Sequence, residues 1–359
     1  MTMDQIVTLL GRPDCPADGV QDYCESLGRA LKSRGVESVV VRVHWAHKGW
    51  RSALAELWRS SKEWRGRWVV LQYTALAWSS HGFPFGVLWA IAVLRLRGAR
   101  CGVMYHEPRQ QEGSGLIRGA CQNWIIQTMY LHLDRAIFSE PLDTIGWIQK
   151  NNAKAAFIPI GANISSGGPT LACPDEGAVK TVAIFCLSHP PNVTLEIEDI
   201  VSVARSALAT GLRLRFVFIG RGTEEAEPQL RNAFRDIPAE LSILGLVDTK
   251  EIGDLLARCD VMLCVRGTLS PRRGSAIAGV ACGLPIVGYE GKDTGFPITE
   301  AGLELVPYRD RLALADALGH VLRDDRLRED LRLQSQRAHR LYFSWERIAE
   351  RLVEELGDG

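Results

Sequence analysis

The chain has 359 residues and a mass of 39.7 kDa, enough for two domains at the usual ~100–200 residues each. Its 46% hydrophobic and 23% charged residues, with 34 glycines in no fixed period, exclude a disordered, collagenous or coiled-coil chain. Lys plus Arg and Asp plus Glu both total 42, so no global positive field argues for nucleic acid, and none is expected as a partner.

The elements alternate along the chain. Strand Gln5–Leu10 precedes helix Val20–Arg34, strand Ser38–Val43, helix Arg51–Trp64 and strand Trp68–Gln72. Helix Phe85–Leu96, strand Arg100–Tyr105, helix Ile117–Leu131, strand Arg135–Ser139, helix Pro141–Gln149 and strand Ala155–Ile158 continue the series. This is the βαβ pattern of a parallel sheet covered on both faces. The turn formers of Gly161–Pro169 then mark a linker.

A second series follows, with strands Thr181–Phe185, Leu214–Ile219, Leu241–Leu244, Val261–Val265 and Ile286–Gly288. Helices Glu196–Thr210, Glu225–Phe234, Thr249–Ala257 and Ser275–Cys282 separate them, and Leu312–Arg340 and Trp345–Leu356 read as terminal helices. The fold class is α/β with two Rossmann-like halves. The expected boundaries are 1–162 for the first domain, 163–178 for a linker, 179–340 for the second domain and 341–359 for a final helix.

Nine cysteines with no Cys-x-x-Cys pair indicate neither a zinc site nor a disulfide framework, so no metal is expected and the thiols read as reduced and mostly buried. Met1 to Gly11 lacks the features of a signal peptide, which gives a cytoplasmic location as the expectation. Phe83 to Leu94 is shorter than the ~20 residues a spanning helix needs, and Arg95 and Arg97 close it. Trp45, Trp50, Trp58, Trp64 and Trp68 among Arg51, Arg59, Lys62, Arg65 and Arg67 admit a peripheral contact with a lipid interface, or equally aromatic packing under an arginine exterior.

Neither half carries Gly-x-Gly-x-x-Gly after a strand, which lowers nicotinamide chemistry in rank. The turn Gly220-Arg221-Gly222 is a weak phosphate signal. The stronger one is the helix that starts at Gly274-Ser275 and stops at Gly283-Leu284-Pro285, because its first amides and positive dipole end suit an anion. Arg272 and Arg273, just upstream, offer bidentate phosphate contacts.

Ala278 to Val287 resembles the Ala-Cys-Gly-x-Pro-Val-Val passage of glycosyltransferase family 4, the group 1 enzymes of GT-B architecture. Phe218 to Gly222 resembles that family's Val-Gly-x-Gly turn, Asp18-Gly19-Val20 its amino-terminal Gly-Gly-Val, and Phe157 to Ala162 its Ile-Pro-Asn-Gly-Val passage. The resemblance runs through most of the chain in the correct order. Two departures stand out: the places of the family's two glutamates fall near Ser270 and on Ala278, neither acidic, and Cys186 to Asn192 lacks its Arg and Lys clamp.

The resemblance implies two Rossmann-like domains facing a cleft, a terminal helix crossing back to the first, a nucleotide-diphosphate sugar donor in the second domain and an acceptor in the first. It implies no cofactor beyond that donor, and hexosyl transfer with retention of configuration to a saccharide or lipid-linked saccharide, in polysaccharide or glycoconjugate synthesis. Arg272, Arg273, Gly274, Ser275 and Gly220 are the donor candidates, with Glu290 or Glu300 for the ribose. His106, Glu107 and Asp18 are the catalytic candidates, His106 and Glu107 lying at a strand's carboxyl end where open α/β sheets bind ligands. Gly19, Tyr73, Trp78 and Arg109 are the acceptor candidates, Trp78 either meeting a sugar with its face or packing its turn. A nucleotide-sugar epimerase of the same fold and a non-catalytic GT-B subunit are the alternatives.

Overall fold

The computed structural model describes residues 3–13, 19–111, 113–148, 152–164 and 179–357. It divides into one compact unit of Met1–Ile160 with Trp345–Gly359 and another of Gly161–Ser344. The first contains β1 (Gln5–Leu10), α1 (Gly19–Ser33), β2 (Glu37–Arg42), α2 (Trp45–Ser60), β3 (Trp68–Tyr73), α3 (Gly86–Leu96), β4 (Arg100–Tyr105), α4 (Leu116–Leu131), β5 (Arg135–Phe138) and β6 (Ala155–Phe157). The second contains β7 (Lys180–Phe185), α5 (Asn192–Ala209), β8 (Leu214–Ile219), α6 (Glu227–Ala233), β9 (Glu240–Gly245), α7 (Thr249–Ala257), β10 (Val261–Thr268), α8 (Gly274–Ala281), β11 (Ile286–Tyr289), β12 (Leu303–Val306), α9 (Arg311–Arg323) and α10 (Asp325–Ala338). Helix α11 (Trp345–Gly357) returns to the first unit.

Each unit holds one six-stranded sheet, ordered β2-β1-β3-β4-β5-β6 and β12-β11-β10-β7-β8-β9. All ten strand pairings are parallel. Parallel strands are covered on both faces, which is why β3 is buried along its whole length and β7 reads as the apolar run Thr181-Val182-Ala183-Ile184-Phe185. The chain reverses direction across the sheet between β1 and β3 in the first unit and between β7 and β10 in the second. In open α/β sheets, ligands bind beyond the strand ends at such switch points.

Helix α11 places Ile348, Leu352 and Leu356 four residues apart, and all three are buried against Tyr23, Leu27 and Leu31 of α1 and against Ile6 and Val70. The Trp68 indole donates to the Leu356 carbonyl at 2.7 Å and fixes the helix's last turn.

Several elements differ from the sequence reading. Pro141–Gln149 forms only the 3-10 turn Leu142–Thr144 within its described part, because Ile145 is extended and Gly146 follows it. Helix α2 begins six residues before Arg51, with a kink at Gly49 (φ 72°), and Ser61–Trp64 is a separate 3-10 turn. Strand β12 was not anticipated, since four residues give too short a pattern to stand out. The linker residues 165–178 lie outside the described residues.

Candidate functional site

At the switch point of the second unit, the loop after β7 runs through Cys186, Leu187 and Ser188. It is stitched to the turn after β8: Cys186 N–H donates to the Ile219 carbonyl at 2.8 Å and Leu187 N–H to the Arg221 carbonyl at 2.9 Å. Cys186 has a left-handed φ of 68°. Buried Glu196 on α5 accepts the Ser188 N–H at 2.8 Å and anchors the loop from below. Gly222 is required here, because its φ is 80° and a Cβ would lie 2.3 Å from the Leu187 carbonyl oxygen.

Gly220 belongs to the same turn, with a φ of 88° and its N–H donated to the Gly245 carbonyl at 2.6 Å. That bond occupies the amide the sequence reading offers to phosphate, so Gly220 serves the turn.

Across the switch point, β10 shifts register against β11 between Cys264 and Thr268 and carries Arg266 out at its end. Arg273 folds back, Nε donating to the Thr268 carbonyl at 3.0 Å. Burial pulls the Arg273 guanidinium below its usual range, with Cys264, Arg266, Glu196 and Arg272 as its charged or titratable neighbours. Burial also raises the Cys186 thiol, against the pull of Arg266 and Arg221. Arg273 lies against Gly267, next to Arg266, with its guanidinium 3.3 Å from where a Gly267 Cβ would stand, while Arg221 sits in the β8 turn bonded to the Cys186 loop.

Helix α8 starts beside this group. Its cap, Arg273, has an extended backbone and no side-chain cap bond, and the amides of Gly274, Ser275 and Ala276 donate to no acceptor among the described residues. A Cβ on Gly274 would meet nothing within 4 Å among the described residues. First-turn amides and the dipole end, flanked by Arg272 and Arg273, can receive an anion.

The two candidate carboxylates separate. Glu290 is exposed directly after β11, and its loop packs on the Arg273 segment through Gly291, where a Cβ would stand 2.6 Å from the Thr268 side chain. Glu300 precedes β12, next to Gly302, whose carbonyl accepts the Ile286 N–H where β11 begins. It therefore sits at the amino-terminal edge of the sheet, opposite the arginines, and is corrected as a ribose ligand.

In the first unit, His106 follows β4. Its N–H donates to the Tyr73 carbonyl at 3.1 Å, and its Nε2 lies 2.8 Å from Gln72 Oε1. The Glu107 carboxylate accepts the Ala75 N–H at 3.0 Å, so both catalytic candidates also tie the β4 loop to the end of β3. The Tyr23 ring meets His106 edge-on at 5.0 Å, and its buried hydroxyl has no partner among the described residues. Arg109 donates to the Thr144 carbonyl and pairs with the buried Glu140 carboxylate, both at 2.8 Å. Gly19 opens α1, exposed and with nothing within 4 Å of a Cβ position, whereas Asp18 lies outside the described residues.

Tyr73 and Trp78 are corrected as acceptor contacts. Both are wholly buried, Tyr73 between the sheet and its helices and Trp78 with its indole N–H donated to the Gln72 carbonyl at 2.9 Å. Trp45, Trp64 and Trp68 are buried as well, so they are core residues and not the lipid contact that the arginine-rich segment admits. Arg266, Arg221, Glu196 and Tyr23 escaped the sequence reading. Arg266 had a usable signal, a cation at a parallel strand's carboxyl end, but the apolar run that marks the strand stops at Val265.

Residues 184–324, which include the arginine group and α8, match the family model for glycosyl transferases group 1. Over the whole chain the fold is similar to a glycosyltransferase from Rickettsia africae, at 11% identity and a TM-score of 0.70, covering 100% of this chain and 99% of that one. It is similar to HepE of Anabaena in complex with UDP and glucose (12% identity, TM-score 0.65, 99% and 100% covered). Sucrose-phosphate synthase from Thermosynechococcus elongatus is a further structural relative (17% identity, TM-score 0.64, 99% and 98% covered). No curated protein matches the chain. Two parallel six-stranded sheets with surrounding helices give this chain the GT-B fold of those structures.

Proposed function

We propose that the chain transfers a sugar from a nucleotide-diphosphate sugar to a saccharide or lipid-linked saccharide acceptor. The observation that carries this reading is Arg272 and Arg273 beside the unpartnered first-turn amides of α8, after the switch-point strand β10, in the segment that matches the group 1 glycosyltransferase model. The bond from the sugar's anomeric carbon to the β-phosphate breaks, its electron pair goes to the phosphate oxygen, and the acceptor oxygen bonds to that carbon. Negative charge grows on the departing diphosphate, where fixed guanidinium groups and amides stabilise it most. Arg221 and Arg266 stand in for the clamp that Cys186 to Asn192 lacks.

His106 takes the acceptor hydroxyl's proton, held in place by Gln72 and the Tyr23 ring. Glu290 is the ribose candidate, and hexosyl transfer with retention is the outcome that the family resemblance favours. HepE was solved with UDP and glucose, which makes UDP sugars the first donors to try.

A thermal-shift screen of UDP, GDP, ADP and dTDP sugars tests the reading, since a ligand bound only by the native state raises stability by mass action. One nucleotide class should raise the melting temperature, and the same donor should be consumed when an acceptor extract is added. Binding without consumption would favour the second reading, a non-catalytic nucleotide-binding subunit, which the lack of an acid in the places of the two glutamates, near Ser270 and on Ala278, supports.

A further inference from the structure

Helix α3 is apolar on both sides. Val87, Ala90, Ile91 and Leu94 are buried in the first unit's core, and the opposite stripe of Phe85, Trp89, Ala92 and Leu96 is apolar too. A helix hydrophobic all round belongs inside a protein or against lipid, yet Trp89 is 52% exposed and Leu96 76%. Helix α4 continues the face: Ile117, Trp124 and Leu131 share one side and are 81%, 55% and 74% exposed. The two helices join through the rings of Phe85 and Trp124, whose centroids lie 6.3 Å apart, and α2 joins them where Trp50 meets Trp89 at 6.0 Å.

The border of this face is basic. Arg97 stands 4.8 Å over the exposed Trp58 ring, Arg65 packs along Gly98, Arg118 lies beside Gly82, and Lys154 donates to the Leu131 carbonyl. Neither α3 nor α4 carries an acidic residue. Residues 45–131 hold eleven Lys and Arg against four Glu, in a chain whose total charge is zero. A second copy docking here through a two-fold axis would set these cations against their own counterparts, which disfavours it. An anionic bilayer satisfies both features, taking the aromatic and aliphatic side chains at its interface and pairing the cations with its headgroups.

We propose that the α3–α4 face docks the protein on an anionic lipid surface. Tryptophan and phenylalanine occupy the headgroup boundary, the helices lie parallel to the membrane plane, and the arginines contact phosphates. This face is distinct from the Trp45, Trp64 and Trp68 set, which is buried. Docking holds the first unit at the membrane, where a lipid-linked acceptor would be met.

The test is co-sedimentation of the full chain, without nucleotide, with vesicles of equal parts phosphatidylglycerol and phosphatidylcholine and with phosphatidylcholine alone. The wild type should sediment with the anionic vesicles, less so at high salt. Trp89→Glu with Trp124→Glu should weaken that binding about tenfold or more, with melting temperature and elution volume unchanged. Leu96→Glu, at a more exposed position, should act in the same direction and serves if the paired variant misfolds. Binding to neither vesicle, undiminished binding by both variants, or a wild-type dimer that the variants turn into monomers would overturn the proposal. The last result would assign the face to a second copy. The measurement requires no nucleotide, so its failure leaves the nucleotide-sugar reading standing.

Discussion

Arg273 is a half-buried cation with one neutral acceptor on its Nε and Glu196 as its nearby carboxylate, an arrangement that a bound anion completes. Arg273→Ala or Arg272→Ala should therefore weaken binding of the cognate nucleoside diphosphate by ~1.5–3 kcal/mol, the scale of a charge-assisted bond, as read by calorimetry. Unchanged affinity in both variants removes the phosphate role. His106→Ala should lower turnover ~10²–10⁴-fold with donor affinity near wild type, because His106 belongs to the other unit. A variant of full rate and reduced melting temperature would assign His106 to the structure of the β4 loop instead. Burial pushes the Cys101 and Cys259 thiols up to about 12, so iodoacetamide at neutral pH should leave both unmodified until the chain unfolds. Arg272, Arg273, Gly274 and Ser275 were visible because a helix start between a strand and a Gly-Leu-Pro stop fixes where they lie. Trp78 and Glu300 were misjudged because burial and the sheet edge a residue occupies depend on contacts distant in sequence, such as Trp50 on Trp78 and Ile286 on Gly302.

The elements that build the donor site are turns that leave little room for side chains. Gly222→Ala would put a Cβ against the Leu187 carbonyl at a φ of 80°, so the variant should lose ~2–4 kcal/mol from left-handed strain and overpacking together. A urea titration reads the loss, and an unchanged midpoint would show that the β7 and β8 loops are not locked together. Strand and helix order was legible because each central strand is an uninterrupted apolar run and each helix a separate amphipathic stretch. Boundaries were less so. The register shift in β10 and the polar Asn192-Val193-Thr194 start of α5 follow from loop packing that no local pattern announces.

For the whole molecule, α11 shows how the end of the chain supports its beginning. Leu352 is buried with Tyr23, Leu27 and Val70, and Leu352→Ala should cost ~2–5 kcal/mol through lost burial and a residual cavity. Thermal melting should fall, while nucleotide affinity, a property of the other unit, should not. The two successive α/β series and the family passage at Ala278 to Val287 make the GT-B fold legible in the sequence. The bond between the β7 loop and the Arg221 turn is not, because it joins segments that are sequence-distant and come together only through the pairing of β7 with β8. The most direct measurement is hydrogen exchange read by mass spectrometry on the full chain, with and without saturating nucleoside diphosphate of the class that raises its melting temperature. The account predicts protection of residues 186–192, 219–223 and 264–277, and weaker protection in Arg273→Ala. Protection confined to other segments, or no nucleotide-dependent protection at all, would contradict it.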